Sequence, residues 1–224
     1  MAEKMKILYE DNHVLCLSKP VNIPVQADDT KDKDVLTMGK QYLKEKYNKP
    51  GNVYLGLVHR LDRPVGGCMV FAKTSKAASR LSESVRTHQL TKEYVAVLDG
   101  IPAKPEGILE DYLIKDKRTN MVHTTKNKET GKYAKLSYRT LGVKDGKSLV
   151  LISLFTGRPH QIRIQFASRG TPLLCDQRYN KHASKGQIAL WAVRLSFPHP
   201  TTKEIITVTD LPHNGIWNGF EINI

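Results

Sequence analysis

The sequence predicts an α+β fold dominated by antiparallel strands, with flanking helices, and three observations lead there. Short segments that alternate apolar and polar residues recur along most of the chain, most strictly at Trp191, Val193, Leu195 and Phe197. Helical periodicity is confined to a few stretches, and hairpin chemistry such as Asp145-Gly146 falls between strand-like runs. No internal repeat, low-complexity tract or long linker divides the 224 residues, which therefore read as one domain over 1–224.

Taken in order, Lys6 to Tyr9 and Val14 to Leu17 read as strands around Asp11-Asn12, followed by an irregular crossing at Lys19-Pro20-Val21-Asn22-Ile23-Pro24-Val25. A helix runs from about Asp34 to Tyr47, with Leu36, Lys40, Leu43 and Tyr47 on one face and Pro50-Gly51 as its stop. Val53 to Val58 is read as a strand entering a loop, and Cys68 to Lys73 as a strand leaving it. Thr74 or Ser75 caps a helix to about Thr87, striped by Ala77, Ala78, Leu81 and Val85. Strands follow at Glu93 to Leu98, Ile108 to Ile114, Met121 to Thr125, Lys132 to Thr140 and Ser148 to Phe155. Pro159 is placed as the first residue of a short helix through Ser168 that Gly170 ends, with Ile162 and Phe166 inward and Arg163 on a polar face. Trp191 to Phe197 and Glu204 to Thr209 complete the strands.

Composition narrows the function. Forty per cent apolar and 25% charged residues exclude a disordered chain, and 35 Lys and Arg against 22 Asp and Glu leave a net charge of +13. Such an excess favours a polyanionic partner, and Lys115 to Arg118 and Lys126 to Lys132 are candidate phosphate contacts. Cys16, Cys68 and Cys175 are isolated, lie in or beside apolar runs and lack metal-ligand spacing, so they read as buried free thiols with no structural zinc. No apolar run is long enough for a membrane span and Met1 to Lys6 lacks a leader's apolar core, so a cytoplasmic protein with no membrane partner is expected. Without an exposed heptad pattern the expected state is monomeric.

The chemistry concentrates in Leu57-Val58-His59-Arg60-Leu61-Asp62-Arg63-Pro64. A carboxylate between two Arg stays ionised and is suited to act as nucleophile or base, although a loop ion pair is the plainer use of the same residues. Gly66-Gly67 beside it permits close backbone approach. Two further blocks stand out: Tyr94 within Thr91-Lys92-Glu93-Tyr94-Val95-Ala96, and Thr156-Gly157-Arg158-Pro159-His160-Gln161-Ile162-Arg163.

Together these blocks resemble the RluA-type RNA pseudouridine synthases, over nearly the whole chain from Lys6 to about Thr209. The resemblance implies a pseudouridine synthase fold with a central cleft, and catalysis by Asp62. It places the Tyr94 ring against the target base, pairs Arg163 with Asp62, and gives supporting or substrate-binding roles to His59, Arg60, Arg158, His160 and Gln161. The implied partner is RNA, a ribosomal or transfer RNA stem-loop with the uridine flipped out, and the implied isomerisation needs neither cofactor nor metal. Many relatives carry an N-terminal S4 domain, and none is expected here. Lys19 to Gln26 and Pro172 to Asn180 match weaker family segments, with Asn22, Cys175 and Asn180 replacing glycines; Asn22 and Asn180 are expected to take left-handed backbone conformations. Two rival readings remain: a nucleoside or RNA glycoside hydrolase, which normally wants a second carboxylic acid that the matched blocks do not supply, and a non-catalytic RNA-binding or folding factor.

Overall fold

The structure is a computed structural model describing residues 5–28, 30, 32–213 and 215–224, so the first four residues of the N-terminal stretch read above for a leader lie outside the described residues. In chain order the elements are β1 (Lys6–Glu10), β2 (Val14–Lys19), α1 (Val35–Lys46), β3 (Gly56–Leu57), β4 (Gly66–Ala72), α2 (Ser75–Arg86), β5 (Thr91–Leu98), β6 (Glu106–Lys115), β7 (Val122–Thr125), β8 (Lys132–Lys144), β9 (Lys147–Leu154), α3 (Gln161–Ala167), β10 (Leu190–Pro198) and β11 (Ile205–Thr209). The α+β class holds, and no described helix is long and apolar enough to cross a membrane. The chain forms two compact units, Met1–Thr91 with Ala192–Asp210, and Lys92–Trp191 with Leu211–Ile224.

In the first unit, β2 pairs antiparallel with both β1 and β4, and β10 pairs with β11. β2 and β4 are buried at every residue, as expected of strands rich in Val, Leu, Met and Phe and covered on both faces. α2, capped by the Thr74 side chain on the Ala77 amide, lays Ala77 and Leu81 onto Val14, Cys16, Cys68, Val70, Leu195 and Phe197. Cys16 and Cys68 are free thiols in this core, and burial pushes both above the usual thiol range, Cys68 to about 12, so they act as small apolar side chains. Gly67 has φ +115°, and a Cβ there would stand 2.2 Å from the Ala192 carbonyl oxygen, so only glycine lets β4 begin at this point. The expected strand from Val53 to Val58 is reduced to Gly56–Leu57, which pair with Phe71 and Ala72 of β4.

At the outer corner of this unit the Glu10 carboxylate accepts hydrogen bonds from Lys46 (2.7 Å), Lys73 (2.8 Å), Tyr42 (2.9 Å) and Tyr47 (2.7 Å), joining β1 to α1 and to the end of β4. Burial alone would raise its pKa, but the bonds from Lys46, Lys73 and the two tyrosines outweigh that and hold it at about 2. A carboxylate whose pKa falls on folding binds its proton more tightly in the unfolded chain. Its stabilising effect is therefore complete above the ordinary carboxylate value and is lost as pH drops toward 2. Glu10→Gln is expected to be clearly less stable than the parent at neutral pH, and the gap in denaturant midpoint should close on acidification through this window.

The second unit is an antiparallel sheet in which β5 pairs with β9, β9 with β8, β8 with β6, and β6 with β7. Asp145 (φ 50°) and Gly146 (φ 71°) make the tight β8–β9 turn, as their sequence anticipates. α3 packs Ile164 against Leu113, Val122 and Ala134, and sets Phe166 edge-on to Tyr138 at 5.4 Å.

Two expectations for α3 are corrected. Pro159 is not its first residue: His160 takes a left-handed conformation (φ 50°) and the helix begins at Gln161. Nor is there a solvated polar face, because Gln161, Arg163 and Gln165 are all buried along with Ile162 and Phe166. The polar side chains survive burial because each is hydrogen-bonded. Among the former glycine positions, Asn22 (φ 62°) and Cys175 (φ 59°) have left-handed backbones, whereas Asn180 is not among the positive-φ residues. Asn180 instead donates its side-chain amide to Asp99 at 2.9 Å.

Candidate active site

Asp62 lies half-buried on the loop between β3 and β4, and that loop is fastened in four ways. Its own backbone closes a turn, the Val65 amide donating to the Asp62 carbonyl at 3.0 Å, while Leu61 and Val65 point into the core. His59 is buried before it and accepts the Val70 amide of β4 through Nε2 at 3.1 Å, which makes Nε2 the unprotonated nitrogen. Arg63 reaches the other way, donating from Nε to the Asn22 carbonyl at 3.1 Å and from Nη1 to Thr30 at 3.1 Å, and pairing with Asp32.

The fourth fastening is Lys19, whose side chain is fully buried. Its Nζ donates to the carbonyls of Pro20 (2.8 Å), Arg63 (2.9 Å) and Val65 (2.8 Å). Three acceptors match the three N–H bonds of an ammonium, which is what makes burial of this charge tolerable. Burial lowers its pKa to about 7, the Asp62 carboxylate opposes that shift and Arg63 reinforces it. Lys19 thus sets both the backbone path and the local field at Asp62. The sequence places it in a matched segment but does not show this role.

Tyr94, Arg158, His160, Gln161 and Arg163 belong to the second unit. Tyr94 is buried on β5, where it pairs with Ile152 of β9. Gln161 is a structural knot: its Oε1 accepts from Thr156 Oγ1 (2.8 Å) and the Arg158 amide (3.1 Å), and its Nε2 donates to the Lys135 carbonyl (3.1 Å) and to Gln165 (3.0 Å). Arg158 is turned toward β8, its Nε donating to the Tyr133 carbonyl at 2.8 Å. The Lys92 ammonium, on the strand that carries Tyr94, lies where a Cβ on Gly157 would be 3.3 Å away, and burial lowers its pKa.

Arg163 has a carboxylate partner the sequence did not single out. Its Nε and Nη2 grip Asp176 in a two-pronged pair at 2.8 and 2.6 Å, both side chains almost wholly buried. Tyr179 completes the cluster. Its ring lies 5.2 Å from the Arg163 guanidinium carbon, and its hydroxyl accepts the Val122 amide at 2.9 Å and meets His160 Nδ1 at 2.7 Å. Asp176 and Tyr179 sit in the Pro172 to Asn180 segment, so the signal was present as an acidic and an aromatic residue in a matched stretch. On the first unit Arg60 is exposed on the fastened loop itself.

The loop that carries Asp62 and the helix that carries Arg163 lie within one family match. The model for the RNA pseudouridylate synthase family matches residues 13–168, and the chain belongs to that family. It is 30% identical over 209 residues to the ribosomal large subunit pseudouridine synthase C of Buchnera aphidicola subsp. Schizaphis graminum, a match covering 88% of this chain and 63% of the relative. The chain therefore spans somewhat under two thirds of that protein's length. It is also 30% identical over 204 residues to the dual-specificity RNA pseudouridine synthase RluA of Escherichia coli, covering 87% of each. Among solved structures, human RNA pseudouridylate synthase domain containing 4 superimposes with a TM-score of 0.78 at 22% identity, over 92% of this chain and 88% of that one. The fold is thus the α+β fold of pseudouridine synthases.

Proposed function

We propose that this protein is an RNA pseudouridine synthase that converts uridine to pseudouridine in ribosomal or transfer RNA, with Asp62 as its catalytic carboxylate. The observation that carries the reading is the Asp62 loop: a carboxylate in a family-matched motif, on backbone held by Lys19 and His59 and with the Lys19 ammonium nearby. Fixing a single carboxylate in this way suits a reaction in which the enzyme must act at one sugar carbon without a second acid.

In this reaction the C1′–N1 bond breaks, the base turns while held, and C1′ bonds to C5; the proton leaves C5 and N1 regains one, so atoms and electrons balance without an added group. Asp62 acts at the ribose, attacking C1′ or removing the 2′ proton. The uridine must leave the stack to expose C1′ and both edges of the base. Tyr94 is assigned to the base and Arg163 to the charge of Asp62, with Arg60 on the loop as the residue that fills the gap or holds a phosphate. His59, Gln161 and Arg158 serve through backbone contacts they already make. The protein is read as a cytoplasmic monomer.

The test is incubation of purified protein with ribosomal and transfer RNA transcripts followed by nucleoside analysis. Pseudouridine is expected at discrete sites with no free uracil. Release of uracil supports the hydrolase instead, and binding without any change in uridine supports the non-catalytic factor.

A further inference from the structure

One face of the second unit's sheet is unlike an ordinary solvated surface. Along β6 and β8 the buried positions are Leu109, Leu113, Ala134, Leu136 and Tyr138, so alternation turns Glu110, Tyr112, Tyr133 and Lys135 to the opposite side. Tyr112 and Tyr133 are direct cross-strand partners with ring centroids 5.8 Å apart. Phe155, just past β9, is bonded through its amide to the Lys135 carbonyl at 3.1 Å and leaves 46% of its surface exposed, with Tyr133 at 39%. A cross-strand tyrosine pair stabilises a sheet by itself, but that does not account for a phenylalanine exposed beyond the strand end.

Cations are interleaved with these rings. Lys128 Nζ stands 5.9 Å from the Tyr112 ring centre and Lys135 Nζ 5.9 Å from that of Phe155. The acidic residue Glu110 is matched by Lys135 at 3.1 Å and by the Tyr133 hydroxyl, so the patch keeps its positive character. Flat rings alternating with ammonium groups on an open sheet suit a chain of stacked bases whose phosphates pass between the cations. A protein partner has no need of that alternation, and a regular duplex cannot offer its bases to the rings.

We propose that the outer face of β6 and β8, with Phe155, is a platform on the second unit that binds unpaired RNA. The proposal rests on RNA being the substrate class, and its test is independent of catalysis. The probe is a fluorescent single-stranded oligoadenylate of about ten nucleotides, which contains no uridine, alongside a duplex of similar length. Phe155→Leu and Tyr112→Leu keep apolar bulk and remove the ring. Each is expected to weaken oligoadenylate binding about tenfold, in the range of one lost stacking contact, with duplex binding unchanged. Lys128→Gln and Lys135→Gln should each reduce the salt-dependence slope by about 0.7. Unchanged thermal unfolding of the leucine variants confirms that only the surface was altered. Unchanged oligoadenylate affinity, as expected of a protein-binding face, or equal loss for single strand and duplex, as expected of a merely basic patch, overturns the proposal. Isomerase activity on a full transcript reports separately on the Asp62 reading.

Discussion

Asp62→Asn is expected to abolish pseudouridine formation, a fall of at least about four orders of magnitude, the scale on which loss of an essential nucleophile or base acts. The substitution keeps size and shape and removes only the charge. The loop should keep its path, because what fastens it is backbone and neighbours: Lys19 on the Arg63 and Val65 carbonyls, the Val65 amide on the Asp62 carbonyl, and His59 on Val70. RNA affinity should therefore change little. The measurement is single-turnover conversion on an RNA that the parent modifies, paired with binding to the same RNA. Conversion by the purified variant at more than a trace of the parental rate removes Asp62 from the mechanism.

The second large effect is on stability. Asp176→Ala leaves the Arg163 guanidinium buried without the carboxylate that accepts from its Nε and Nη2, and stranding a buried charge in this way costs about 3–5 kcal/mol. Denaturant unfolding of the second unit's signals should report the loss. Asp176→Asn retains an acceptor and should lose less. The double variant Arg163→Met with Asp176→Leu removes both charges together and is expected to recover much of the stability, since a buried pair often yields little over a well-packed apolar replacement. On the proposed role of Arg163 it should remain inactive. Recovery of both stability and activity would make the pair purely architectural; full stability of Asp176→Ala would show that the pair contributes little to folding.

Much of this is legible in the sequence alone, for physical reasons that differ from residue to residue. Strand positions followed from alternation, and the β8–β9 hairpin from Asp145-Gly146, because both are local rules written within a few residues. The loop bearing Asp62 was legible from its concentration of charge and glycine. What escaped is long-range satisfaction of polar groups. Lys19 finds carbonyls 44 and 46 residues away, so nothing near it in the chain indicates that a lysine there is buried. Arg163 reads as lying on a polar face because polar side chains usually are exposed, yet that face is buried, and Gln165 on the same helix reaches the Leu109 carbonyl and Asp111 across more than 50 residues. The same holds for Asp176, whose worth depends on an arginine 13 residues earlier that its segment does not reveal. The left-handed turn at His160 displaced the helix start because proline at a first helical position is a preference and the backbone at the next residue overrode it.

The division of the chain between its two units bears on how the protein is made. The Asp62 loop belongs to a unit whose other part, Ala192–Asp210, is synthesised more than a hundred residues later, and the second unit in turn needs Leu211–Ile224. β4 starts against the Ala192 backbone at Gly67, and Ser18 donates to Asp210 at 2.7 Å, so the strands around the loop acquire their neighbours only once Ala192–Asp210 has emerged. A ribosome stalled before that point carries the complete Asp62 motif, but not the residues that close the unit around it. No single cut between residues 5 and 224 releases either unit as one continuous piece, so activity should not appear during synthesis until Ala192–Asp210 has been made.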